Sequence, residues 1–204
     1  TAASSLTTSG ALNISTTIAN GGLTLSTAGG ITDSGVITSS GAVSMTTTND
    51  AITLDQINLF TGSVGFSTGT AATSIINSVG AYAVAASTAN GGITLSNNGA
   101  ITNTGVITST GAVSVTTSND AITLTQANAL TGAVQLNSGT AASSLTTSGA
   151  LNISTTTANG GLTLSTDGAI TDSGVITSSG TVSMTTTNDA ITLDQVNLFT
   201  GTVA

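Results

Sequence analysis

Apolar and polar residues alternate along this chain in short runs. Gly22-Leu23-Thr24-Leu25, Gly41-Ala42-Val43-Ser44-Met45 and Gly62-Ser63-Val64-Gly65-Phe66 set apolar side chains two residues apart behind a glycine or alanine. Period two marks a strand with one buried face, because successive side chains of an extended backbone point to opposite sides. No apolar stripe of helical period accompanies these runs. The pattern predicts strands only, and many of them.

The runs repeat on a longer scale. Asn49-Asp50-Ala51-Ile52-Thr53-Leu54 returns at Asn119 to Leu124 and at Asn188 to Leu193, a period of about 70 residues that marks a tandem array. The units span 1–69, 70–139 and 140–204. Residues 1–65 and 140–204 differ at seven positions, beginning with Ile18 against Thr157, while the middle copy diverges more. The order is A-B-A, which points to recent tandem duplication and to a parent protein that continues the series.

Within a unit the runs align as coils. Leu23, Val43, Val64, Ile93, Val113 and Val134 head one column, and Leu25, Met45, Phe66 and Leu95 a second. Ile31, Ile52, Ile75, Ile101 and Ile122 head a third, and Val36, Ile57, Tyr82 and Val106 a fourth. This alignment gives about nine coils, two of each unit close to one length and the third longer by about eight residues. An all-β, three-sided parallel β-helix accounts for it: like stacks on like, the columns fill the interior, and the units form one continuous solenoid. The longest coil predicts an outward loop around Ala83 to Asn90. Asn20-Gly21, Asn90-Gly91, Asn98-Gly99 and Asn159-Gly160 are read as corners, since Asn and Gly tolerate positive φ.

The strings Gly22-Leu23-Thr24-Leu25-Ser26, Gly99-Ala100-Ile101-Thr102-Asn103-Thr104-Gly105 and Asp120-Ala121-Ile122-Thr123-Leu124 resemble the repeats of filamentous-haemagglutinin-type bacterial surface proteins. The resemblance covers essentially the whole chain. It implies a right-handed β-helical shaft of a large secreted adhesin, often exported by two-partner secretion. The amino-terminal secretion domain of that family is not visible here.

Composition then closes several routes. The 204 residues include no Lys, Arg, His, Pro, Cys or Trp, and all eight charged residues are aspartates. Serine and threonine number 73. Abundant Thr, Val and Ile favour ordered strands over disorder. Without cations there is nothing to neutralise phosphates, so neither nucleic acid nor an anionic membrane surface is an expected partner. Zinc and haem lack their usual ligands. No apolar run is long enough for a transmembrane helix, so direct membrane insertion is not expected. Thr1 opens in mid-pattern, and targeting information is expected outside this stretch.

Few residues suggest chemistry, and no catalytic, cofactor-binding or metal-binding residue is assigned. Asp50, Asp120 and Asp189 recur at one place in each unit. They read either as calcium ligands or as corner residues, and one carboxylate per unit is sparse for calcium. Asp33 and Asp55 suggest a carboxylate pair for hydrolysis. Their middle-unit counterparts, Asn103 and Thr125, lack the group. Thr32, Thr53, Thr102, Thr123, Thr146, Thr171 and Thr192 suggest a hydroxyl rank of the kind that meets ice, beside a mixed column of Ser34, Asp55, Ser78 and Thr104. Threonine is also simply a good strand residue. Asn13-Ile14-Ser15 and Asn152-Ile153-Ser154 match the N-glycosylation pattern.

The expectation is a non-enzymatic structural segment of a bacterial extracellular or cell-surface fibre. Its partners are copies of itself or the continuation of the same chain. Both ends lie in mid-pattern, without the polar caps or edge prolines that blunt open strand stacks. Alternatives are an adhesin binding host or neighbouring-cell glycans through a flank, and an ice-binding solenoid.

Overall fold

The computed structural model describes residues 2–78 and 80–204, so the expectation placed on Thr1 lies outside the described residues. The chain is a parallel β-solenoid of about ten turns. Among the described residues it contains 27 strands and no helix. Pairing resolves two stacks, each with a path of ten strands, and the apolar core lies between them. Each strand donates and accepts along the solenoid axis. The backbone groups of these hydroxyl-rich segments are thus satisfied by the neighbouring coils.

Every turn has nearly the same length. The stacked partners Ser4↔Leu23, Leu23↔Val43 and Val43↔Val64 differ in spacing by no more than two positions. One turn carries a long strand on one stack and a split or bulged strand on the other. In the first repeat Ser4–Thr8, Leu23–Thr27, Val43–Thr47 and Ser63–Ser67 are the long strands, all in the first stack. Between them, in the second stack, run Leu12–Ile14 with Thr17–Ile18, Ile31–Asp33 with Ile37–Ser39, and the bulged Ile52–Phe60.

A repeat therefore holds seven half-turns, an odd number. The second repeat opens with the long strand Thr73–Asn77 in the second stack, and its split pair Tyr82–Val84 with Ser87–Thr88 joins the first. The third repeat reverses this again: Gly161–Thr166, the counterpart of Leu23–Thr27, returns to the first stack seven strands further on. At about 4.8 Å per turn, two repeats advance the axis by about 34 Å.

This corrects the expected coils. The longer third turn does not exist, and there is no outward loop at Ala83 to Asn90. Val84 and Ala89 are fully buried there. Val64 stacks on Val84 rather than on Ile93, which lies between Thr73 and Val113. Ile52 stacks on Thr73, and Ile75 on Leu54 and Leu95. Tyr82 of the fourth expected column is buried and stacks on Ile101, but Ile57 and Val106 turn outward, at 58% and 42% exposed. These residues sit where the split strands bend and period two breaks, so the next apolar positions, Ile37, Ile107 and Ile176, enter the core instead.

Burial here is made by the adjoining turns. Ile52 and Ile122 are fully buried, whereas Ile191, their counterpart in the third repeat, is 44% exposed. The first two carry a turn on either side; Ile191 pairs with Ile170 alone. Full burial of such a side chain is worth about 1.5–3 kcal/mol, so each turn is stabilised largely by the next.

Corner glycines keep the turns in contact. A Cβ on Gly111 would lie 2.5 Å from the Gly91 carbonyl carbon and the Gly92 nitrogen, and one on Gly41 would lie 2.5 Å from the Gly22 nitrogen. Gly22, Gly92 and Gly161 have φ of +112°, +120° and +128°. Positive φ thus falls two residues after Asn20, Asn90 and Asn159, on the second glycine of each corner. Gly149, by contrast, has open space where its Cβ would stand. Gly111→Ala should cost about 1–3 kcal/mol through overpacking. Gly149→Ala should be neutral or slightly stabilising, because it restricts only the unfolded chain. Thermal melts of the two variants check this, and equal losses would contradict the close coil contact.

Candidate functional site

The densest polar arrangement in the molecule is internal. Asp33 ends a short strand and is 7% exposed. Its Oδ1 accepts the backbone N–H groups of Asp55 at 2.8 Å and Gln56 at 3.3 Å, and its Oδ2 accepts from Asn58 Nδ2 at 2.7 Å. Asn58 Oδ1 in turn accepts the Ile37 N–H at 2.8 Å. The carboxylate thus brackets the bulge Asp55-Gln56-Ile57 onto the turn below. A buried carboxylate without a cation is tolerable only when such donors replace water.

The third repeat rebuilds this bracket. Asp172 accepts the Asp194 N–H at 2.7 Å and Asn197 Nδ2 at 2.7 Å. The middle repeat does the same without charge: Asn103 Nδ2 donates to Asn128 Oδ1 at 2.9 Å, and Asn128 Oδ1 also accepts the Ile107 N–H at 2.9 Å. Asp33 and Asp55 are therefore joined through backbone rather than set face to face as two free carboxylates. One side chain holds the backbone of the other, and the Asp55 carboxylate accepts from Gln56 Nε2 on the outside. Sequence reasoning passed over Asn58, Asn128 and Asn197. The signal was there: Gln-x-Asn at 56–58, 126–128 and 195–197 never varies.

Most other inward polar groups are also paired locally. Ser39, Ser109 and Ser178 donate to the Ala19, Ala89 and Ala158 carbonyls at 2.8–2.9 Å. Asn77 Oδ1 accepts the Phe60 N–H at 2.8 Å, and its Nδ2 donates to Asn97 Oδ1 at 3.0 Å. Thr73 Oγ1 and the Tyr82 hydroxyl are buried without a partner among the described residues. Burial pushes the Tyr82 phenol well above its ordinary value.

The recurring Asp50, Asp120 and Asp189 serve corners through their backbone. Their carbonyls accept the hydroxyls of Thr47, Thr117 and Thr186. The adjoining asparagines supply the side-chain contacts: Asn119, the one non-glycine at positive φ among the described residues, accepts the Thr140 N–H at 3.1 Å. The half-turn between repeats sets Asp120 at a corner entering the first stack, and Asp50 and Asp189 at corners entering the second. Asp50 and Asp189 stand seven turns apart, about 34 Å. No cation bridges such positions, and no cluster of three metal-ligating residues occurs among the described residues.

The threonine rank is broken in the same way. Thr32 stacks on Thr53, Thr102 on Thr123 and Thr171 on Thr192, but these pairs alternate between stacks. The outward faces of the long strands hold hydroxyls in two columns instead. Ser5, Thr24 and Ser44 stack in one, and Thr7, Ser26 and Thr46 in the other. The sequon residue Asn13 is exposed and pairs with Thr32, while the Asn152 Oδ1 is enclosed and has no partner among the described residues.

A family model described as repeats of unknown function matches residues 1–67, 70–137 and 139–204. No curated protein and no solved structure matches the chain.

Two outcomes follow from this geometry. Asp33→Ala should lower stability by about 1–3 kcal/mol, because it strands buried donors. Asp33→Asn should melt close to wild type, as Asn103 does this work in the middle repeat. Tyr82 is the single tyrosine in a chain without Lys, Arg, His or Cys. Its raised folded pKa means that stability is intact below its unfolded value, about 10, and is lost as pH rises beyond it. Melting temperatures between pH 8 and 12 should fall for wild type and hold for Tyr82→Phe; parallel curves would contradict the assignment.

Proposed function

We propose that this chain, which belongs to the family of repeats of unknown function (DUF5649), is a structural segment of a secreted bacterial fibre or surface-protein shaft and performs no catalysis. The carrying observation is the unbroken parallel pairing of both stacks through all three repeats. Each turn is hydrogen-bonded to the next, so load along the axis passes through backbone as well as side chains. Seven turns to every two repeats return the pattern to its starting stack, so further repeats would extend the shaft without a change of form. Continuation occurs within a longer chain or by head-to-tail stacking, a heterologous contact that does not close and gives an open filament.

The resemblance of the repeats to filamentous-haemagglutinin-type shafts supports an extracellular setting. So does the lack of Lys and Arg, which leaves trypsin-like proteases no site. Host or neighbouring-cell glycans are the expected partners where such a shaft also adheres. The paired hydroxyl columns of the long strands favour one further reading, an ice-binding face. Growing ice crystals shaped by the purified chain would support that reading, and unaltered crystal habit would remove it.

Diffraction and imaging of the native material test the main reading. A meridional spacing of about 4.8 Å and an axial superperiod of about 34 Å are expected. Native particles that are compact and lack both spacings would overturn it, as would turnover of a polysaccharide lost on Asp33→Asn.

A further inference from the structure

The half-turn between repeats makes the two stacks unlike each other. In the first stack, Gly65 leaves a gap on the outer face of Ser63–Ser67. An open notch of about 270 Å³ forms there, lined by Ser44, Met45, Phe66, Ala85 and Ala86. Val64↔Val84 and Ser67↔Thr88 flank the gap, so Ala85-Ala86 lies directly over Gly65. The next turn places Thr104 to Val106 over Ala85-Ala86, and the one after places the bulge Thr125-Gln126-Ala127 over those. Notch and bulge thus share one axial line, three turns apart, or about 14 Å. All three bulge residues are exposed.

The same line on the second stack is closed and charged. Gln135 replaces Gly65 and accepts from Ser114 Oγ at 3.0 Å, filling the notch. The bulges are Asp55-Gln56-Ile57 and Asp194-Gln195-Val196, each bracketed by a further carboxylate, Asp33 or Asp172. No carboxylate lies on the strands of the first stack. Asp120, at the corner before Ile122, is separated from Thr125 by about 17 Å of extended strand. Two separate sequence differences between repeats, Gly65 against Gln135 and Thr125 against Asp55 and Asp194, therefore act on the same side. Along this line one side is open and free of carboxylates; the other is filled and acidic.

We infer that two copies of this chain pair side by side through the first-stack line, antiparallel, with the bulge of each seated in the notch of the other. A two-fold axis perpendicular to the line, midway between Gly65 and Gln126, brings both bulges to both notches at once, an isologous and closed contact. Charge selects the side. Each copy carries −8, and pairing through the first stack keeps the exposed bulge carboxylates Asp55 and Asp194 on the outer faces, where water and salt screen them. Pairing through the second stack would press those carboxylates together. The contact is lateral, so it needs no end-to-end stacking.

The test uses the full chain. Sedimentation over a range of concentrations should show a pair for wild type. Gly65→Gln with Thr125→Asp, which copies the second stack onto the first, should give single shafts with an unchanged circular-dichroism spectrum and melt. No atom stands closer than 3.4 Å to a Cβ at Gly65, so the notch can be filled without moving the backbone. Asp55→Thr, on the other stack, should leave the pair intact. The chain has no cysteine, so a mixture of Ser44→Cys and Gln126→Cys chains should form a mixed disulfide that neither forms alone. Single shafts for wild type at every concentration, pairing that survives the double variant, or a glycan that fills the notch of unpaired chains would each overturn the inference. Images separate this from the proposed function: long fibres of single width refute lateral pairing alone, and short paired rods refute axial continuity alone.

Discussion

Parallel hydrogen bonding between successive turns is the constraint on which everything else in this molecule depends. No turn has a core of its own. Leu23 is covered by Val43, Val43 by Val64 and Val64 by Val84, and each becomes buried only when the next turn is laid down. The contrast between Ile122 and Ile191, identical in local sequence and opposite in exposure, shows how completely burial belongs to the stack. The corner glycines serve the same contact. A side chain at Gly111 would hold neighbouring turns apart where their backbones meet.

A stack of this kind must pair its inward polar groups without help from solvent, and this chain pairs most of them without a single cation. Its solution is amide and hydroxyl chemistry. Asn58, Asn128 and Asn197 carry both donor and acceptor, so one side chain closes a backbone N–H and reaches a neighbour in the adjoining turn. Asp33 and Asp172 fit the same bracket because three donors converge on each. That Asn103 takes the position in the middle repeat identifies the requirement as hydrogen bonding rather than charge. The carboxylates are then free to differ between repeats, and their difference marks the surface.

The ratio of repeat length to turn length gives the surface its pattern. A repeat wound through three and a half turns places equivalent positions on alternate stacks. Copies one and three set equivalent positions on the same stack and are nearly identical, while copy two sets them on the opposite stack and has diverged at Gln135, Thr125 and Asn103. Divergence between neighbouring repeats in the sequence is therefore divergence between sides of the solid object. The recurring aspartates and threonines, which look like continuous ranks in the sequence, never become ranks for the same reason.

Much of the fold was legible in the residues. Period-two runs named the strands, the return of Asn-Asp-Ala-Ile-Thr-Leu fixed the repeat, and the missing cations narrowed the chemistry. The Asn-Gly pairs marked corners to within two residues. The sequence could not say which stack a given strand would join. Apolar residues on either stack point into one shared interior, so a Val64–Ile93 column and a Val64–Val84 column satisfy the same pattern of burial. Uniform turn length decides between them, because parallel strands must stay in register along the axis and one overlong turn would break every hydrogen bond beside it. The bracketing role of Asp33 was equally hidden. A carboxylate at a strand end has the same local sequence whether it faces solvent or a bulge one turn further along the chain. Composition and period determined that this chain would stack; closure of the turns and hydrogen-bond register, which exist only in three dimensions, determined what stands above what.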